Sequence, residues 1–429
     1  MRTPVGSFMV LLIMIALDIY VFMAVKSLSL SAGSRTRGLI YGFYWLVSII
    51  TIIGVVIFMA KGIEYLPKKI RTYLFASILA FVFAQIISSV FFLIDDVRRL
   101  IQWAASKTFF RNTEVATMSG DGISRSAFLS WLGLAAGTSL FGSLIYGFSN
   151  KYNYRIKHVK LSYDNLPPGF HGIKIVHFSD VHSGSFMNKK AVAHGVEKIM
   201  AENGDMVIFS GDLVNDRATE MNDYMDVFDK VKAPMGVYST FGNHDYGEYA
   251  RWPYGGVTKD QNLINLAKIH EQLGWRLMMD EHIPLERNGD KIALIGIQNW
   301  SAKARFPKYG NMKKAYAGAE NYPFKILISH DPSHWDAEVR PEYRDVDLML
   351  SGHTHGMQFG VEIPGFKWSP VQYMYKEWDG LYEEGKQKLY VNPGFGFIGY
   401  PGRVGILAEI TVIELVNSKM AEERFGYFK

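Results

Sequence analysis

The first 150 residues contain four apolar segments, each with about the 20 residues that an α-helix needs to cross the hydrocarbon core of a bilayer. The backbone finds no water in that core, so each segment must satisfy its N–H and C=O groups by forming a helix. Charged residues are nearly absent from the segments, whereas a surface helix of a soluble bundle carries a polar face. We therefore predict a membrane region over residues 1–150, with transmembrane helices at about residues 7–25, 39–60, 72–94 and 128–148.

Asp18 is the one acidic residue inside a predicted span. An acid at such a position marks either an ion or partner site, or a place that faces the interior of the helix bundle. We favour a structural role, in which Asp18 faces the interior or lies nearer the interface than the span suggests.

Charge does not decide on which side of the membrane the rest of the chain lies. Lysines and arginines, Arg2 and Arg111 among them, divide evenly between the two sides of the predicted spans, so the positive-inside rule gives no orientation. The segment 124–129, just before the fourth span, is similar to a twin-arginine export signal from which one arginine is missing. On that similarity we expect the rest of the chain on the extracytoplasmic side.

From residue 151 onward the pattern changes to short apolar runs of strand length. Helical patterns at residues 189–203 and 261–273 lie between the earlier runs, which is typical of βαβ units. The second half is therefore predicted to be one α/β domain over residues 151–429. Its strands are predicted at residues 173–178, 206–210, 237–241, 292–297, 324–329, 347–351, 389–391 and 410–415.

Polar clusters directly follow five of these strands. Open α/β sheets place their ligands at the carboxyl ends of parallel strands, which meet at one edge of the sheet. A sheet would therefore bring the clusters together. They are Ser179-Asp180-Val181-His182, Gly211-Asp212, Gly242-Asn243-His244-Asp245, Ser329-His330-Asp331 and Gly352-His353-Thr354-His355.

Each cluster by itself is compatible with a structural turn, and a lone histidine such as His330 is more often structural than a ligand. Two imidazoles that alternate across one residue, as in His353 and His355, are costly to place at a strand end without a partner. Five such clusters in one half of the chain favour a common site over five separate turns.

The donors in these clusters are oxygen and nitrogen. The chain has no cysteine, which excludes thiolate metal sites and thiol nucleophiles. Manganese, iron and zinc accept such donors, and there are more donors than one ion needs, so we predict two divalent metal ions. Two metals about 3.5–4 Å apart need a shared carboxylate, and Asp212 is the natural bridge.

With these motifs the chain resembles the calcineurin-like metallophosphoesterases, specifically their membrane-attached bacterial branch, over residues 173–415. The resemblance implies a four-layer αββα sandwich, with two mixed sheets face to face and helices outside, in an integral protein of the bacterial inner (cytoplasmic) membrane. Carried over position by position, it implies one metal on Asp180, His182, His355 and Asp212, and a second on Asp212, Asn243, His330 and His353.

His244 has no metal in this assignment, and with Asp212 it is the candidate catalytic residue. Beside the ligand Asn243 it is placed to meet the scissile phosphate, where it would stabilise phosphoryl charge or protonate the leaving oxygen. Many family members orient this histidine with an acid three residues after the bridging aspartate, but Asn215 occupies that position here. The orienting group is thus Asp216, Asp245 or neither.

The resemblance implies cleavage of a phosphoester or pyrophosphate bond by attack of a metal-bridging hydroxide. The tether between the fourth span and the domain is so short that we expect the substrate in or near the bilayer. A phospholipid, a lipid-linked diphosphate or a nucleotide-linked lipid such as a UDP-diacylglucosamine would fit. Aromatic residues near the end of the chain, Trp368 and Tyr373 among them, could contact lipid headgroups at an interface or stack on a nucleotide, but we interpret most of them as packing residues.

A membrane sensor is the alternative function. It would bind a phosphorylated ligand at the two metals without turnover, but binding alone does not require a general acid such as His244. A net charge of +5 without a basic stripe argues against a nucleic-acid partner. No protein partner is evident from the sequence.

Overall fold

The structure, a computed structural model, describes residues 4–62, 65–108 and 124–420. The chain forms two compact units that divide between Tyr146 and Gly147. Arg2 and Arg111, two of the charges in the orientation count, lie outside the described residues.

The first unit is helical. Its helices are α1 (Pro4–Leu28), α2 (Ser34–Lys61), α3 (Lys68–Thr108) and α4 (Arg125–Asn150). Each contains one of the predicted spans and is long and apolar enough to cross a membrane, which confirms an integral membrane protein. The helix α3 continues well past residue 94, and Asp95 and Arg98, three residues apart, form an ion pair at 2.7 Å on its next turn.

Asp18 lies in the interior of this unit, in agreement with its interpretation from the sequence. Only 2% of its surface is exposed. Ser48 Oγ donates a hydrogen bond to Asp18 Oδ2 at 2.5 Å, and Gln85 Nε2 donates to Oδ1. Tyr44 Oη donates to the backbone carbonyl of Asp18 at 2.7 Å. The carboxylate thus links α1, α2 and α3 through polar contacts, which fix how these helices pack.

The second unit alternates strands and helices. Its strands are β1 (Tyr154–Tyr163), β2 (Ile173–Phe178), β3 (Met206–Phe209), β4 (Val237–Ser239), β5 (Arg276–Leu277), β6 (Glu281–Arg287), β7 (Asp290–Gly296), β8 (Lys325–Ile328), β9 (Leu348–Ser351), β10 (Val361–Ile363), β11 (Phe366–Trp368), β12 (Gly380–Glu384), β13 (Gln387–Val391) and β14 (Ala408–Asn417). Its helices are α5 (Lys189–Ala201), α6 (Met225–Phe228), α7 (Lys259–Gln272), α8 (Met312–Tyr316) and α9 (Arg340–Glu342).

The strands form two mixed sheets of six strands each and one separate hairpin. The first sheet has the order β1-β14-β2-β3-β4-β5, in which β2, β3, β4 and β5 run parallel and β14 runs antiparallel to β2. The second has the order β12-β13-β9-β8-β7-β6, with β13, β9, β8 and β7 parallel. The hairpin pairs β10 with β11.

The side chains of β3 show why the domain has four layers. Met206 and Ile208 belong to the apolar core between the two sheets, whereas Val207 and Phe209 point the other way and pack with residues of α5, α6 and α7. Both faces of the strand are buried, so its sequence is continuously apolar. A third apolar cluster covers the outer face of the second sheet with residues of α8. The predicted αββα architecture is confirmed.

Candidate metal centre

The five polar clusters meet at one edge of the two sheets. In the first sheet, Asp180 and His182 follow β2, Asp212 follows β3, and Asn243 and His244 follow β4. In the second sheet, His330 follows β8, and His353 and His355 follow β9. Since all five strands end in the same direction, the structure brings every predicted site residue together, as the distances between their side chains show.

Asp180 lies at the centre of one group of ligand side chains. Its Oδ1 is 3.2 Å from His355 Nε2 and 3.9 Å from His182 Nε2, and these two nitrogens are 3.0 Å apart. Asp180 and His182 are completely buried and His355 is nearly so. The three donor atoms lie within 4.8 Å of one another, close enough to bind one metal ion.

Asp212 lies between this group and a second one. Its Oδ2 is 3.5 Å from His182 Nε2 and 3.1 Å from His330 Nε2. His353 Nδ1 is 2.8 Å from Asn243 Oδ1. A carboxylate with this position is what a bridge between two metals requires.

Hydrogen bonds on the far side of two rings leave one nitrogen of each ring facing a ligand oxygen. His330 Nδ1 donates to the carbonyl of Ser210 at 2.7 Å, which leaves Nε2 facing Asp212 Oδ2 at 3.1 Å, where it can hold either a proton or a metal ion. His353 Nε2 lies 2.8 Å from Tyr375 Oη, and a proton on that nitrogen leaves the lone pair of Nδ1 facing Asn243 Oδ1. Metal ions with nitrogen and oxygen ligands fit both places.

The protonation states of the centre favour bound cations as well. Burial raises the pKa of Asp180, but the imidazoles of His355, His330 and His182 outweigh it and hold that pKa well below its ordinary value. Burial lowers the pKa of His330, but the carboxylate of Asp212 raises it further, to about 10. The carboxylates are therefore ionised, and the position next to His330 Nε2 stabilises a positive charge.

Five of the site residues have a left-handed backbone that non-glycine residues rarely adopt. The φ angles are 52° at Asp180, 48° at His182, 62° at Asp212, 75° at His353 and 53° at His355. Such a conformation costs on the order of 1–3 kcal/mol per residue and persists where surrounding structure imposes it, typically at functional sites. The fold thus accepts backbone strain to turn these side chains toward one point.

Two glycines of the clusters leave room for the ligand carboxylates. A Cβ atom at Gly242 would overlap with Asp212 Oδ1, and one at Gly352 would overlap with Asp180 Oδ2 and Ser179 Oγ. Close approach, and not a turn, therefore requires glycine at both positions.

His244 is oriented by a backbone carbonyl and by neither of the two acids considered from the sequence. His244 Nδ1 lies 2.8 Å from the carbonyl oxygen of Asn215, which can only accept, so Nδ1 carries the proton. Asp216 instead accepts the backbone N–H of Tyr249 at 3.0 Å. The second ring nitrogen of His244, Nε2, is thereby left available for a substrate.

Asp245 holds the two loops that carry Asp212 and Asn243. It is completely buried, and its oxygens accept backbone N–H groups from Asp212, Leu213 and Gly242 at 2.8 Å each and from Val214 at 3.3 Å. Its effect on His244 is therefore indirect, through the backbone of both loops.

Arg403 braces the loop behind Asp180, a role for which the sequence offers no local pattern. The side chain is completely buried, and burial lowers its pKa to about 10. Its guanidinium donates to the carbonyl oxygens of Pro393 at 2.8 Å, Gly394 at 3.1 Å and Gly396 at 2.7 Å. Gly396 and Asp180 are themselves joined through the backbone at 2.8 Å, so the arginine fixes the position of this ligand.

A tyrosine and an acid orient His353. Tyr375 Oη lies 2.8 Å from His353 Nε2 and 3.3 Å from Asp331 Oδ2, which is itself 3.4 Å from His353 Nε2. Burial raises the pKa of Asp331, but His353, Ser301 and Ser333 lower it below the ordinary value, so the carboxylate is ionised. With the proton of His353 on Nε2, these groups hold the ring so that Nδ1 faces Asn243, as groups behind metal-ligating histidines do.

We expect Tyr375→Phe to weaken metal binding by about 10- to 100-fold, because His353 loses the group that fixes its ring and tautomer. Titration of the metal-stripped protein with Mn²⁺, followed by calorimetry, measures the affinity. Tyr373→Phe is the matched control, since Tyr373 is 77% exposed and lies two residues away. Equal affinities in the two variants would contradict the role given to Tyr375.

Comparison with known families agrees with the fold. A family model described as "Calcineurin-like phosphoesterase" matches residues 173–357, and one described as "Probable Calcineurin-like phosphoesterase, transmembrane domain" matches residues 1–151. The chain therefore belongs to the calcineurin-like metallophosphoesterases. Within them it belongs to the membrane-attached branch, in which a transmembrane domain of four helices precedes the phosphoesterase domain.

Three curated relatives illustrate this similarity. The chain is 28% identical to "Transmembrane protein with metallophosphoesterase domain" from Danio rerio, over 63% of this chain and 60% of that protein. It is 28% identical to "Uncharacterized metallophosphoesterase YkuE" from Bacillus subtilis, over 59% and 82%. It is 27% identical to an "Uncharacterized metallophosphoesterase" from Helicobacter pylori, over 62% and 65%. The chain thus spans less than two thirds of the Danio rerio and Helicobacter pylori proteins.

Proposed function

We propose that this chain is an integral membrane phosphohydrolase, with a membrane region over residues 1–150 and a catalytic domain over residues 151–429, that cleaves a phosphoester or phosphoanhydride bond. The observation that carries the proposal is the convergence of five buried donor side chains around Asp180 and Asp212, with Asn243 and His353 next to them, beside His244, a histidine that bonds through Nδ1 and is left with a usable Nε2. The phosphoesterase family supports the reaction class.

The two groups around Asp212 would each hold one divalent ion, and manganese, iron and zinc all accept these donors. When bound, the ions supply Lewis-acid polarisation of the phosphoryl group and lower the pKa of a trapped water. We assign Asp180, His182, His355 and Asp212 to one ion and Asp212, Asn243, His330 and His353 to the other.

His244 would serve the leaving group. Its Nδ1–H is committed to the carbonyl of Asn215, and its backbone N–H donates to Asp212 Oδ1 at 2.9 Å, so the ring has a fixed place beside the centre. The side chain of Tyr249 packs against it with 4.5 Å between ring centres. In this position a protonated Nε2 can donate its proton to the leaving oxygen as the P–O bond breaks.

A substrate in or beside the bilayer fits the way the domain is attached. The helix α4 ends at Asn150 and β1 begins at Tyr154, and three residues span only about 10 Å. The domain therefore cannot leave the membrane surface. We propose a phospholipid or another lipid-linked phosphate or diphosphate as substrate, in a bacterial inner membrane, with the domain on the extracytoplasmic side as the segment 124–129 suggests.

Metal removal and restoration tests the proposed activity. The full-length protein in detergent is stripped with a chelator and assayed on bis(4-nitrophenyl) phosphate and 4-nitrophenyl phosphate. We expect no hydrolysis without metal and a return of activity with Mn²⁺, Fe²⁺ or Zn²⁺, because the ions supply several kcal/mol of transition-state stabilisation. Phosphodiesters that carry acyl chains of increasing length then test whether the substrate is a lipid. For a lipid substrate, the rate of hydrolysis should rise with the length of the acyl chain.

Binding of phosphate esters without turnover, with any of the three metals, would contradict the hydrolase and support the sensor. A rate that is independent of acyl length would contradict the lipid substrate alone.

A further inference from the structure

The hairpin β10–β11 has its polar side toward the protein and its apolar side toward the outside. In an antiparallel pair, residues directly opposite each other share a face, and the faces alternate along each strand. Ile363 lies opposite Phe366 and Val361 opposite Trp368, so these four share one face. Glu362 and Lys367 lie opposite each other on the other face.

Ion pairs attach the polar face to the domain. Glu362 Oε2 is 2.7 Å from Arg155 Nη1, and Lys367 Nζ is 2.5 Å from the carboxylate of the buried Asp379. Lys367 also lies 5.1 Å above the ring centre of Trp378. The polar face is thus the inner one, which is the reverse of the arrangement in a water-soluble sheet.

The opposite face carries large exposed apolar side chains. The exposed fractions are 41% at Val361, 58% at Ile363 and 54% at Phe366. The surface continues through Trp368, whose Nε1 is 3.5 Å from the hydroxyl of Tyr373. Tyr373 and Met374 are exposed by 77% and 52%. We call these five exposed residues the outer face: Val361, Ile363, Phe366, Tyr373 and Met374.

The outer face lies close to the end of the last transmembrane helix. Gly147, in the last turns of α4 and the first residue of the second unit, accepts a hydrogen bond from the backbone N–H of Arg403 at 3.0 Å. The next residue, Val404, bonds the N–H of Gly360 at 2.8 Å. The strand β10 begins at Val361, directly after Gly360. Arg155, which holds Glu362, is only five residues from the end of α4 at Asn150.

We propose that the outer face lies in the interfacial layer of the bilayer, among the lipid headgroups and the upper part of the acyl chains. Lipid can cover exposed apolar surface that lies beside the end of a membrane span. An apolar face at such an interface is typically buried about 5–10 Å into the boundary between headgroups and acyl chains. Trp368 and Tyr373 belong to the two residue types enriched at that depth, where one end of the ring is apolar and the other polar.

The same surface leads to the metal centre. Met374 directly precedes Tyr375, which bonds His353. A lipid-borne phosphate would therefore meet the centre from the side on which the outer face contacts the bilayer. This last consequence rests on the proposed function, whereas the contact with lipid does not.

Single-cysteine labelling tests the contact, because the natural chain has no cysteine. Full-length Phe366→Cys is labelled with the environment-sensitive dye NBD and reconstituted in liposomes of phosphatidylcholine and phosphatidylglycerol. The matched control is Lys386→Cys, at the exposed tip of the β12–β13 hairpin, on the edge of the second sheet away from the metal centre. A second reporter, Ile363→Cys, guards against local disruption by the label.

We expect the emission of the dye at 363 and 366 to shift to shorter wavelength and to be quenched by phosphatidylcholine with a doxyl group on its acyl chain. The dye at 386 should show neither effect. Emission typical of water at all three positions would overturn the proposal. A blue shift at 366 that doxyl lipid does not quench, and that disappears when the protein is diluted into excess lipid, would overturn it in favour of contact with a second copy of the chain.

None of these readouts depends on hydrolysis. If the labelling results agree with lipid contact but no substrate is turned over, the outer face stands and the proposed activity fails. If a substrate is turned over but the labels at 363 and 366 show emission typical of water, the proposed activity stands and the lipid contact fails.

Discussion

Replacement of Asp212 by asparagine is expected to lower the rate of phosphoester hydrolysis by at least about 10³-fold, which corresponds to about 4 kcal/mol of transition-state stabilisation. Asparagine keeps the size of the side chain and still accepts the hydrogen bond from the backbone N–H of His244. It removes the negative charge that lies 3.1 Å from His330 Nε2 and 3.5 Å from His182 Nε2. Because Asp212 faces both groups of candidate ligands, we expect the loss of its charge to weaken both proposed metal sites.

The experiment has two readouts, kcat/KM on an aryl phosphodiester and metal content by mass spectrometry after gel filtration. The matched control is Asp226→Asn, which changes an exposed aspartate of α6 that pairs with Lys189 at 2.6 Å. The control should keep the wild-type rate and metal content, and the melting temperature of Asp212→Asn should show that it is folded. A variant at 212 that retains two ions and the wild-type rate would contradict the bridging role.

The side chains of the candidate site could be predicted from the sequence because each lies within a few residues of a strand end. The run Met206 to Phe209 is apolar on both faces, so it predicts a buried strand, and the position of Asp212 follows from where that strand stops. Because the carboxyl ends of parallel strands share one edge of the sheet, Asp212 is then expected beside the other polar clusters. The same reasoning placed His330 and His355 at this edge, whereas their assignment to particular metals came from the resemblance to the family. Their assignment as ligands stays a prediction until metal is measured.

The groups that orient these side chains could not be predicted, because no sequence pattern near them indicates their role. His244 is held by the backbone carbonyl of Asn215, and every residue type has such a carbonyl. Tyr375 lies 22 residues from His353, in a segment without strand or helix pattern. The only available signal was that Asp245 and Asp331 directly follow His244 and His330.

The hairpin β10–β11 shows a different limit. Its alternation of polar and apolar residues is visible in the sequence, but alternation alone does not say which face lies inward. A soluble domain would have buried Ile363 and Phe366, and the ion pair of Lys367 with Asp379 reverses that choice. Tyr373, interpreted from the sequence with the packing residues, is in fact largely exposed. Tertiary contacts decide such cases.

Replacement of His244 by asparagine is expected to lower kcat by about 10²- to 10⁴-fold, the usual contribution of a general acid. Metal content should stay at the wild-type value, because His244 donates its ring N–H to Asn215 and is not needed as a ligand in either group. This combination separates His244 from Asp212, whose loss affects rate and metal together. The matched control is His194→Asn, an exposed histidine of α5 that lies 3.4 Å from Glu197.

The dependence on the leaving group tells which of its two chemical roles His244 performs. A 4-nitrophenolate leaves without a proton, whereas an unsubstituted phenolate or an alkoxide needs one, so a general acid should matter more for the poorer leaving groups. We therefore expect the loss in His244→Asn to grow steadily from 4-nitrophenyl to phenyl to alkyl esters. An equal loss for all three would mean that His244 stabilises charge on the phosphoryl oxygens, since that charge develops whatever group departs. An unchanged rate for all three esters would contradict any role of His244 in the reaction and would mean that solvent supplies the proton.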